Sequence, residues 1–124
     1  MNAVLLYFLM KSCLVSQDKY YSFSDNVCYF LYTVKTDWDL HLKEHGTFNL
    51  NFIKEDSRYQ KISKSEFFGI WKNQNDTIIF TIADISINAC GLKSARYLVS
   101  NDTLKSLNSN ICLPPILILE KFRN

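Results

Sequence analysis

Trp38, Leu40 and Leu42 alternate with Asp37, Asp39, His41 and Lys43, and a little further on Phe48, Leu50 and Phe52 alternate with Asn49 and Asn51. A period of two puts the apolar side chains of such a run on one face of an extended strand, whereas a helix would scatter them around its axis. Between the runs, Glu44-His45-Gly46-Thr47 supplies a short turn with a glycine for positive φ. The segment reads as an amphipathic hairpin, so any fold of this chain must offer that apolar face a core.

The second half repeats the pattern. Thr77-Ile78-Ile79-Phe80-Thr81-Ile82 follows the turn-like Asn73-Gln74-Asn75-Asp76, and Ile85 and Ile87 continue the period toward Cys90-Gly91. Arg96-Tyr97-Leu98-Val99 predicts a short strand ended by Ser100-Asn101-Asp102. Pro114-Pro115 blocks a helix, and Ile116-Leu117-Ile118-Leu119 predicts a terminal strand. Val27-Cys28-Tyr29-Phe30-Leu31-Tyr32-Thr33-Val34, rich in aromatic and β-branched residues, reads as a largely buried central strand. Only residues 102–108 leave room for a short helix. The expected fold is therefore all-β: one antiparallel β-sandwich, or a sandwich-like, partly open barrel. Trp38, Leu40, Leu42, Phe48, Leu50, Phe52, Ile78, Phe80 and Ile82 are expected to face its core.

At 124 residues the chain has the size of one domain. Residues 1–16 are expected to be a secretory or lipoprotein signal, leaving 17–124 as the domain. Ala3 to Met10 is an unbroken apolar run, too short for a membrane-spanning helix, with small and polar residues behind it. Ser16 suits an ordinary signal peptidase. Leu9-Met10-Lys11-Ser12-Cys13 is similar to a bacterial lipobox, which would make Cys13 a lipidated membrane anchor. The alternative is a first core strand with Tyr7 and Phe8 packed inside.

Cys13, Cys28, Cys90 and Cys112 are widely spaced, with no C-x-x-C pair to suggest a zinc ribbon or a redox site. In an oxidising compartment they become disulfide candidates, Cys90 with Cys112 first and Cys28 next, although spacing alone leaves all three pairings of four cysteines open. Three glycines cannot form a clustered phosphate-binding loop. A net charge of +2, with Lys and Arg interleaved among Asp and Glu, lacks the basic stripe of a nucleic-acid binder. The cytosolic alternative would bind single-stranded nucleic acid by stacking on aromatics beside Lys54, Arg58, Lys61 and Lys64.

His41-Leu42-Lys43-Glu44-His45 fits the H-x-x-E-H spacing of inverted zinc peptidases, which need both histidines on one helical face. The alternation from Asp37 to Lys43 instead puts His41 on a strand's polar face and His45 in a turn. Asp37 with Asp39, and Glu55 with Asp56, read as solvated charges. No catalytic residue, metal ligand or cofactor is assigned.

Two local resemblances bear on function. Cys28, Trp38, Arg58, Asp84 and Cys90 occur in the order of the Cys, Trp, Arg, Asp and second Cys of an immunoglobulin-like variable domain, with a similar Cys-to-Trp interval. Asn88 stands where that family carries a tyrosine, so the resemblance implies a sandwich and no more. The Cys13 lipobox followed by Ser24-Asp25-Asn26-Val27-Cys28 resembles small periplasmic lipoproteins regarded as immunity partners of type VI secretion effectors. That resemblance implies a β-sandwich binding module without catalytic residues. The sequence thus leads to the expectation of an exported, non-enzymatic protein, periplasmic, membrane-anchored or secreted, that recognises an effector or receptor protein. An immunity-type inhibitor of a secreted toxin is its most concrete form, and a secreted immunoglobulin-like viral or host ligand binder is the alternative.

Overall fold

The computed structural model describes residues 18–83, 92–108 and 113–121. Its strands are β1 (Lys19–Cys28), β2 (Thr33–Leu42), β3 (Thr47–Asp56), β4 (Lys61–Gln74), β5 (Thr77–Ile82), β6 (Ser94–Ser100), β7 (Thr103–Ser106) and β8 (Ile116–Leu119). Each pairs antiparallel with the next, and β8 returns to β1, so one sheet closes into an up-and-down barrel. Closure is brief, resting on Tyr21 opposite Leu119 and Ser22 opposite Ile118.

All-β architecture is as the alternation implies, and the described residues contain no helix. The sandwich is replaced by a closed barrel. Two stacked sheets need strands that switch between layers, whereas here every connection joins neighbours in a single sheet, and the immunoglobulin-like order falls with that requirement. The residues with room for a helix, 102–108, hold β7, whose Leu104 points inward and is fully buried.

Turn chemistry sets the register. Gly46 takes φ 101° and donates its N–H to Lys43 O at 3.0 Å, while Lys43 N–H donates to Thr47 O at 2.9 Å. This is a three-residue hairpin loop closed by a glycine in the left-handed region. Asn75 and Asp76 both take positive φ, 52° and 61°, in the two-residue turn between β4 and β5, as a type I′ hairpin requires.

With register fixed, the inward positions fill the barrel. Trp38, Leu40, Leu42, Phe48, Leu50, Ile78, Phe80 and Ile82 are buried, while Phe52 is partly buried and stacks on Trp38 with centroids 4.1 Å apart. Tyr21, Phe67, Ala95, Tyr97, Leu113 and Leu117 complete the core. The Phe80 ring meets Phe48 and Tyr97 edge-on, at 4.8 and 5.7 Å, a favourable aromatic geometry. Free space among these residues is only about 10 Å³, barely that of one water. The barrel is a packed core, and recognition by the described residues must use its outside.

Candidate functional site at the hairpin tips

The barrel wall has unequal height. β4 runs for 14 residues and β5 for six, and their pairing begins only at Gly69 opposite Ile82. On the other side β8 leaves β1 after Ser22. The far halves of the β1–β2 and β3–β4 hairpins therefore stand beyond the barrel as a four-stranded overhang. Phe67 is the last fully buried side chain of β4 on the way to Lys61.

At its end lies the Val27–Val34 run. Instead of a central strand it is the end of β1, a turn and the start of β2: Tyr29 N–H donates to Tyr32 O at 2.8 Å and reverses the chain. Phe30 is 98% exposed and Leu31 85% exposed. The burial expected of this apolar run fails because pairing Cys28 with Thr33 leaves residues 29–32 as the loop, past the last inward layer of the barrel.

The second hairpin braces the first. Ser57 N–H donates to Thr33 O at 3.0 Å, and Thr33 N–H donates to Ser57 Oγ at 2.8 Å. The Tyr29 and Tyr32 rings stack at 4.6 Å and 16°. Arg58 lays its guanidinium over Tyr32 at 3.9 Å and over Tyr59 at 4.8 Å, the geometry of cation–π attraction. Asp56 fixes that guanidinium, accepting from Arg58 Nε at 3.2 Å, Nη2 at 2.8 Å and the Arg58 backbone N–H at 3.0 Å. Hydrogen bonding to Arg58 holds the Asp56 carboxyl below the usual carboxylate range, and Asp56 in turn raises Arg58 above its already high one. The result is a ladder of Tyr29, half-buried Tyr32, Arg58 and Tyr59 with Phe30 and Leu31 projecting beside it. Around the corner is a shallow concavity of about 330 Å³, lined by Asn26, Thr33, Lys35, Glu55, Lys61 and Ile62 among others.

The other sequence candidates fall elsewhere. His41 stands on β2, stacked on Tyr20 at 4.3 Å with its Nε2 2.7 Å from Asp18 Oδ2. His45 lies in the β2–β3 turn, its Nε2 2.7 Å from Thr47 Oγ1. Strand and turn, rather than the helix an H-x-x-E-H site needs, hold the two histidines. Asp18 also accepts the Glu44 N–H at 3.0 Å, and this bond, with His41, lowers its carboxyl pKa. Among the described residues no three His, Cys, Asp or Glu side chains group as a metal site.

Lys54, Arg58, Lys61 and Lys64 share the overhang but not a face. By register, Lys54 and Lys61 continue the inward row of Phe52 and Phe67, Lys64 points outward, and Arg58 is taken by Asp56. Cys28 is exposed with a free thiol. Cys13, Cys90, Cys112, Asp84 and residues 1–16 lie outside the described residues. Among the described residues no helix is long and apolar enough to cross a membrane. Neither a protein-family model nor a curated protein matches the chain.

Proposed function

We propose that this is a non-enzymatic binding protein that recognises another protein through the braced hairpin tips. The observation that carries the reading is Phe30 and Leu31, almost fully exposed at the end of a rigidified overhang. With Tyr29 and Tyr59 they expose on the order of 500 Å² of apolar side chain at the hairpin tips, the kind of surface that marks an interaction site. Tyrosine and arginine are the residue types enriched where binding energy concentrates. The Tyr–Arg–Tyr stacking and the Asp56 fork order them before the partner arrives, which reduces the entropic cost of association. A protruding finger suits a partner with an apolar cleft. Inhibition of a secreted toxin is one form this recognition takes if the chain is exported.

A photo-crosslinking residue at position 30 tests the reading in the native host. Position 51, outward on the barrel wall, serves as the control. The expected result is a discrete heteromeric adduct from position 30 that position 51 does not give. Equal adducts from both positions, or none from position 30, would refute recognition at the tips.

A further inference from the structure

We propose that the free edge of β1 pairs with β1 of a second copy of this chain, forming a two-fold dimer through one continuous sheet. Glu120 N–H donates to Tyr20 O at 2.7 Å, so the even-numbered residues of β1 aim their main-chain groups toward β8. Odd-numbered ones face β2, as the Tyr29 N–H bond to Tyr32 O at the hairpin end shows. On the side toward the β1–β2 turn, the β8 register with β1 ends at Ser22 opposite Ile118. Continued, the register would set Asn26 opposite Pro114, which has no N–H to extend the ladder. The carbonyls of Pro114 and Pro115 are drawn to the other wall: Tyr97 Oη donates to Pro114 O at 2.7 Å and Ser106 N–H to Pro115 O at 2.9 Å. From Ser24 onward, the N–H and C=O groups of Ser24, Asn26 and Cys28 have no partner among the described residues.

An open edge of this kind is a template for another strand. Its own sequence fits it. With the two-fold axis at Asn26, Asn26 faces Asn26 of the second copy and Ser24 faces Cys28. All three even-numbered residues then exchange bonds, about six in total. The intervening positions pair Asp25 with Val27, covering an exposed valine. Centring one residue earlier would set Asp25 against Asp25, a destabilising like-charge pair. Centring one later would leave Ser24 unpaired. Val27, exposed in the single copy, gains an apolar contact at the seam, while Tyr29, Phe30 and Leu31 lie beyond the paired segment Ser24–Cys28 and stay available at the tips. Because the strands are antiparallel, the two hairpin tips point to opposite ends of the joined sheet.

This pairing is independent of recognition at the tips, since the edge and the tips are altered by different substitutions. Sedimentation velocity on the full chain over a wide concentration range should show a monomer–dimer equilibrium. Asn26→Lys, which places two ammonium groups face to face on the solvent side, should raise the dimer Kd about tenfold or more. In a Cys28→Ser background, Asn26→Cys should form a 26–26 disulfide on oxidation, mapped by peptide mass spectrometry. Directly opposed hydrogen-bonded residues have Cα atoms about 5.5 Å apart, within disulfide range. Asn51→Cys on the barrel wall should not crosslink. A monomer at every concentration, a dimer indifferent to Asn26→Lys, or no 26–26 link would each overturn the proposal.

Discussion

Gly69 shows what one missing side chain does for the barrel. A Cβ at this position would overlap the Thr81 carbonyl oxygen and stand 2.9 Å from Cε1 of Phe48. Thr81 O belongs to the backbone of the neighbouring strand and cannot rotate away, and Phe48 is itself buried in the core. Glycine within a strand marks such close approaches. Gly69→Ala should therefore cost about 3 kcal/mol or more, in the upper range of overpacking. At Gly46 a Cβ would meet nothing closer than 4.0 Å, so only the positive φ penalises substitution, at about 1–2 kcal/mol. Urea unfolding of the two alanine variants checks the order. A Gly69→Ala protein no less stable than Gly46→Ala would contradict the close approach of β4 to β5.

Elements with one dry face are the ones that declare themselves. β2, β3 and β5 carry apolar residues at alternate positions because one side of each meets the core, and Ile116–Leu119 matches β8 residue for residue. β4 hides its period. Phe67 and Phe68 are adjacent, Ile70 and Trp71 are adjacent, Gly69 replaces an inward side chain, and the Lys61–Ser65 end has no core to face. The Val27–Val34 run misleads in the opposite sense, since aromatic content signals burial only where a neighbouring wall exists to bury it. That failure coincides with the candidate site, where local sequence pattern and global packing disagree. The bracing of the tips gives a local prediction. Arg58→Ala removes both ring contacts and the Asp56 ion pair, all outside the packed core, so global stability should change little. The Thr33 and Ser57 amides, which tie the hairpins together, should exchange with solvent several-fold faster, while those of Leu40 and Phe48 stay protected. Unchanged exchange at Thr33 and Ser57 would show that Arg58 does not hold the tips.

Sandwich and barrel share their local patterning, because both alternate apolar-in with polar-out along every strand. What separates them here is the meeting of the chain's two ends at Tyr21–Leu119 and Ser22–Ile118, a contact between residues almost a hundred positions apart that no local period encodes. Two buried phenols report on whether that closed barrel is intact. Tyr97 Oη donates to Pro114 O at 2.7 Å across the core, and Tyr21 sits in the closing strand. Burial pushes both phenols above the ordinary value of 10.0, with the Asp102 carboxylate adding to the effect at Tyr21 and a Ser106 hydrogen bond opposing it at Tyr97. A phenol whose pKa is raised by folding contributes stability that is fully present below its unfolded pKa and lost as pH climbs from there through the folded value. Urea midpoints should therefore not respond to these phenols below about pH 10 and should fall above it, with phenolate absorbance appearing together with loss of strand circular dichroism. Tyr97→Phe removes the larger shift but leaves the buried Pro114 carbonyl unpaired. It should cost about 1–2 kcal/mol at neutral pH and lose stability less steeply above pH 10. A Tyr97→Phe protein with the wild-type alkaline slope would mean that this phenol is already open to water in the folded barrel.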